Sequence, residues 1–130
     1  MPILKFLFAD DVTGETYWVS LEECFVESVR LLPHGRQNAM TVAKVLEEMG
    51  KENTGTNHRK FRFAVEYVNF HSEEDDEIAC STTSGYFLAK TFEEAQEALG
   101  NKRKNAEAML KRCVDTLARA EKKFTLRKTA

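Results

Sequence analysis

Between Thr41 and Phe70, two apolar runs recur at helical spacing with a polar break between them. This segment constrains the fold more narrowly than any other. Val42, Val45, Leu46 and Met49 fall on one face of a short helix, with Lys44, Glu47 and Glu48 on the other. Thr41 stands where an N-cap hydroxyl is needed, and Gly50 where a helix ends in a left-handed residue. Asn53, Thr54 and Gly55 are turn residues. The break exceeds the roughly 3–4 residues of a tight connection between two such helices. The spacing predicts a loosened turn, or an extra half-turn of helix. A second helix then opens with Thr56 or Asn57 as its cap. Its residues Phe61, Ala64, Val65 and Val68 recur at i, i+3, i+4 and i+7, a core-facing stripe. The segment reads as helix, turn, helix.

Opposite that stripe lie Arg59, Arg62, Glu66 and Asn69, with Asn57, His58 and Lys60 near the start of the helix. A helix that enters the major groove of DNA needs donors at its N-terminal end. Asn57, His58, Arg59, Lys60 and Arg62 are placed to meet base edges or phosphates. The ordinary alternative is a solvated helix face that carries some arginine. Two features oppose DNA. Glu66 repels phosphate, and Phe63, Tyr67 and Phe70 form a second apolar stripe where a DNA-facing helix is polar.

The flanking sequence reads as support for this core. Met1–Val19 has the pattern of a β-hairpin, with strand-like residues on either side of a turn at Asp10–Glu15. It is placed to pair with a later hairpin or to cover the second apolar stripe. Trp18, the only tryptophan, is expected in the core. Ser20-Leu21-Glu22-Glu23 has the form of a capping box, opening a helix with Leu21, Phe25, Val29 and Leu32 inward. Pro33 and Gly35 stop it, and Arg36, Gln37 and Asn38 make a polar linker to Thr41. After the second helix comes an acidic loop, Glu73, Glu74, Asp75, Asp76 and Glu77. Ile78–Ala89 then reads as strand, polar turn, strand. Ser81 and Thr82 near its tip are candidates for phosphate contact, and Gly85 permits a positive-φ turn.

The segments LLPHGRQNAMTVAKVLEEMG, NHRKFRFAVEYV and EIACSTTSGYFLA, taken in order, resemble the winged helix-turn-helix domains common in phage and prophage proteins. The resemblance covers roughly residues 21–89. It rests on a His-Gly-Arg-x-Asn-Ala linker, an arginine-rich second helix and a GYF strand. It implies a winged helix-turn-helix at 21–90; with the N-terminal β-hairpin read at 1–20 and a long C-terminal helix at 91–130, the expected fold is α+β, mainly α. It also implies DNA binding through Arg59, Lys60 and Arg62, with Ser81 and Thr82 near the wing. The chain departs from the pattern in its first hairpin, its acidic loop and the aromatic residues of the second helix.

The last helix opens at Thr91, with Glu94 completing a second capping box. Leu99, Ala106, Leu110, Cys113, Leu117, Ala120 and Phe124 follow a heptad rhythm over about three heptads, interrupted by Arg103. A homodimer through Leu99, Ala106, Leu110, Cys113, Leu117 and Phe124 is the expectation, with Gly100 a place where the helix is open to a kink or break. Thr125–Ala130 reads as a frayed basic tail. The net charge is −2, and ten bases against six acids from Thr91 onward leave about −6 on the first ninety residues. Binding to DNA would therefore rest on local patches rather than the overall field.

The remaining features narrow the function class. Cys24, Cys80 and Cys113 are odd in number and far apart, so they read as buried thiols of a reducing, cytoplasmic environment. No metal-ligand spacing, phosphate loop or nucleophile motif is present, and no enzyme activity or cofactor is expected. No apolar run approaches the roughly 20 residues that span a membrane, and no secretion signal is expected. Two functions remain. One is a phage-type DNA-binding protein on double-stranded DNA, acting as a regulator or DNA-processing accessory. The other is a phage-encoded inhibitor of a host complex, such as an anti-CRISPR. That reading would use Phe63, Tyr67, Phe70, Glu73, Glu74, Asp75 and Asp76.

Overall fold

The computed structural model describes residues 3–10 and 12–129, with side chains through Thr125. The fold is α+β and forms two units, Met1–Ala95 and Gln96–Ala130.

The first unit opens with an antiparallel hairpin, β1 (Ile3–Ala9) and β2 (Thr16–Glu22), in which Phe6 pairs with Val19 and Leu7 with Trp18. The Asp10 carboxylate accepts the backbone N–H groups of Val12 and Thr13 at 2.8 and 2.9 Å and shapes the turn. Side chains alternate across a pleat. Phe6, Val19 and Leu21 therefore face the core, and Trp18, expected there, points outward at 72% exposure. The expected capping box at Ser20 does not form. β2 continues through Glu22, opposite Ile3, and α1 (Glu23–Arg30) starts without a side-chain cap. The strand ladder holds Ser20 to Glu22 extended, out of helical geometry, and it is the strand register that buries Leu21.

The segment from Pro33 to Met40, which includes a 3₁₀ turn at Arg36–Asn38, is more than a linker. It runs beside β4 (Gly85–Leu88). Leu88 N–H donates to Pro33 O and Gly35 N–H to Leu88 O, and Met40 and Tyr86 exchange bonds of 2.8 and 2.7 Å. β3 (Ala79–Thr82) pairs with the other edge of β4. The hairpins form two separate sheets, so the first does not pair with the second. Gly85 has φ +130°, and a Cβ there would lie 2.2 Å from Met40 O. Only glycine allows that approach.

α2 (Val42–Met49) is capped by Thr41, whose hydroxyl accepts Lys44 N–H, and ends at Gly50 in the left-handed conformation. α3 (Gly55–Phe70) begins earlier than expected, since its cap is Thr54, not Thr56 or Asn57. Thr54 Oγ1 accepts Asn57 N–H at 3.2 Å, and Asn57 Nδ2 reaches back to Glu52 O at 2.9 Å. The connection is thereby held as a defined turn. Phe25, Phe61, Leu21, Leu46 and Leu88 are at most 1% exposed, and they join the first hairpin, α1, α2, α3 and β4 in one core. Each such side chain contributes roughly 1.5–3 kcal/mol of burial.

The second unit is carried by α4, Phe92–Thr129. Thr91 Oγ1 accepts Glu94 N–H, but Glu94 reaches Lys90 N–H and Arg36 N–H rather than closing a capping box. The helix passes unbroken through Gly100 and continues to Thr129, where a frayed tail was expected. Its 38 residues span about 57 Å at 1.5 Å per residue. Leu99, Met109, Leu110, Val114, Leu117 and Phe124 are 45–68% exposed in the single chain. Cys113, expected to be a buried thiol, is exposed, whereas Cys80 is buried and Cys24 half-buried.

Candidate functional site

Each side of α3 has its own neighbour. Phe61, Ala64 and Val68 enter the core. Phe63 and Tyr67 are covered by the first hairpin, where ring centroids lie 5.0 Å apart for Phe8–Phe63 and 5.6 Å for Phe6–Tyr67. That accounts for the aromatic stripe expected to meet a partner. Of its three residues Phe70 stays open, at 73% exposure. On the other flank Asn69 takes the place of a strand neighbour. Its Nδ2 donates to Ala79 O and its Oδ1 accepts Ala79 N–H, at 3.0 and 2.9 Å, which ties the second hairpin to α3.

The outward face between the two hairpins holds Arg59 and Arg62, both exposed. Arg59 lies over the Phe63 ring, 6.0 Å from its centroid, on the side of the first hairpin. Its charge contributes to holding Asp10 below the usual carboxylate range, after the backbone N–H groups of Thr13 and Val12. Arg62 lies on the side of β4. Burial pushes the Tyr86 phenol up, and the charge of Arg62 works against that rise. Among the described residues neither arginine forms a salt bridge.

The other candidate contacts are engaged elsewhere. Lys60 Nζ sits 3.4 Å from Glu22 and 5.7 Å above the Phe25 ring, turned toward the body of the unit. Lys51 shares the same carboxylate at 3.8 Å. Asn57 braces the turn, and His58 hydrogen-bonds Asn53 through its ring. Nothing local in the sequence marks the pairing of Lys60 with Glu22, which are 38 positions apart. In the second hairpin, Ser81 is half-buried opposite Tyr86, and Thr82 Oγ1 accepts Ser84 N–H. Thr83 and Ser84 stand open at the tip.

The acidic loop divides in two. Asp76 bonds the Arg30 guanidinium at 2.9 and 3.0 Å, and Glu77 lies 3.3 Å from His34. Burial raises the Asp76 pKa. The hydrogen bonds from Arg30, Glu77 N–H and Ser72, with the Arg30 charge, outweigh that and leave it below the ordinary value. Glu73, Glu74 and Asp75 remain exposed.

Among the described residues no cluster of three or more His, Cys, Asp or Glu is placed to hold a metal ion. No described helix is long and apolar enough to cross a membrane. No family model matches the chain, and neither characterised proteins nor solved structures yield a significant match.

Proposed function

We propose that this chain binds double-stranded DNA through α3, as a winged-helix protein of the phage or prophage type that regulates transcription or assists DNA processing. The order α1, Pro33–Met40 segment, α2, α3, β3, β4, with that segment bonded to the far edge of β4, supports the winged-helix reading. The observation that carries the function is the pair Arg59 and Arg62, exposed and without a salt bridge among the described residues, between two hairpins. A guanidinium in that position is free to meet a phosphate or the edge of a guanine. Fluorescence anisotropy with a labelled duplex at low salt tests this. Arg59→Ala/Arg62→Ala should lose most of the affinity. Lys60→Ala should lose little, because Lys60 already holds Glu22. No binding by the unaltered protein overturns the reading.

A second reading has its own observation. The outer face of the first hairpin exposes Ile3, Leu7 and Trp18, the last two directly opposite each other. That surface, and separately the exposed Phe70 and Glu73–Asp75, suit a protein partner, such as a host complex with a basic groove. Trp18→Ser and Glu73→Lys would then each weaken capture of that complex without altering duplex binding.

A further inference from the structure

We infer that α4 pairs with α4 of a second copy as a parallel, in-register two-stranded coiled coil centred on Cys113. The seam is built from two repeating positions. Arg103, Leu110, Leu117 and Phe124 occupy one, and Leu99, Ala106, Cys113 and Ala120 the other. Large residues thus alternate with small ones over three heptads, the spacing at which knobs of one helix enter holes of another. A continuous helix cannot cover its own seam, and Leu110 and Leu117 are 66% and 68% exposed in the single chain.

The charges flanking the seam choose the occupant and its direction. On one side stand Lys102, Met109, Thr116 and Lys123, and on the other Glu107, Val114 and Glu121. In a parallel pair each side meets the opposite side of the partner, five residues further on. Lys102 then faces Glu107, Met109 faces Val114, and Thr116 faces Glu121. The next pair by sequence, Lys123 with Lys128, brings like charges together beyond Phe124. In an antiparallel pair each side meets itself. Between Lys102 and Phe124 the charged flanking residues would then meet only like charge, Lys with Lys or Glu with Glu. Lys102–Glu107 is the one attractive flanking pair, and it forms only when two copies of this helix run parallel, which favours a second copy of this chain in that direction. Arg103 is the polar residue of the seam, and its ion pair with Glu107 at 3.0 Å keeps its charge compensated. One polar seam residue also penalises slipped registers. A parallel pair brings the two Gln96 ends together, so both first units join the coil at the same end.

The test uses the full chain. Sedimentation equilibrium should show a reversible dimer, and Leu110→Glu/Leu117→Glu should be monomeric. Lys102→Glu should raise the dimer dissociation constant roughly tenfold, because attraction becomes repulsion at two symmetric pairs. Lys102→Glu/Glu107→Lys should recover part of the affinity, short of wild type because the Arg103–Glu107 pair is lost. For direction, Ala106→Cys and Ala120→Cys are each placed in a Cys113→Ser background and mildly oxidised. Both should give a symmetric disulfide dimer, identified by mass spectrometry. A chain monomeric at every concentration overturns the inference. So does a dimer in which neither cysteine cross-links to its own copy, the pattern of an antiparallel pair. These outcomes do not depend on DNA.

Discussion

At the scale of the residue, the sharpest constraint is Gly85. An added methyl would meet Met40 O at 2.2 Å, and the bonds between Met40 and Tyr86 prevent either strand from yielding. Gly85→Ala should cost about 2–4 kcal/mol, read as a lower urea midpoint with unchanged slope. Asp76 sets a milder, pH-dependent constraint. Its folded pKa lies below the reference value of 3.8. Its contribution is therefore complete above that value and is lost as pH falls through the lower, folded one. Asp76→Asn should destabilise by about 1 kcal/mol at neutral pH, since the partner Arg30 is partly solvated. The gap between variant and wild type should close in strong acid. A gap that persists below the carboxylate range would mean that the ion pair is not its source.

The elements separate into what local chemistry dictates and what distant partners decide. α2 was legible in full, because Thr41, the apolar stripe and Gly50 act within one helix. The core stripe of α3 and both hairpins were legible from periodicity for the same reason. Ser20 was not, because a strand pairing with Ile3 and Lys5 competes with a cap, and that pairing spans the hairpin turn. Of the candidate DNA contacts, Arg59 and Arg62 emerge on the outward face. Lys60 turns to Glu22, a carboxylate on another element that periodicity cannot reveal. Nothing in Asn69 announces a side chain that caps the start of β3. The sidedness of the first hairpin gives a direct contrast. Phe6→Ala, at a residue 4% exposed against Tyr67, should cost about 3–5 kcal/mol. Trp18→Ser, at 72% exposure, should stay within about 0.5 kcal/mol. Equal losses in thermal unfolding would contradict the register.

For the whole molecule, the sequence carries −2 overall, so no long-range field draws it to nucleic acid. Affinity for DNA must come from a few placed cations, and that makes its salt dependence diagnostic. The most direct measurement is the slope of log K against log salt for a labelled duplex, wild type beside Arg59→Ala/Arg62→Ala. Wild type should bind at low salt and weaken as salt rises. The variant's slope should be shallower by about 1.8 per protomer, at roughly 0.9 for each phosphate no longer neutralised. Equal slopes together with equal affinities, or a wild type that binds no duplex at low salt, would contradict DNA binding through α3.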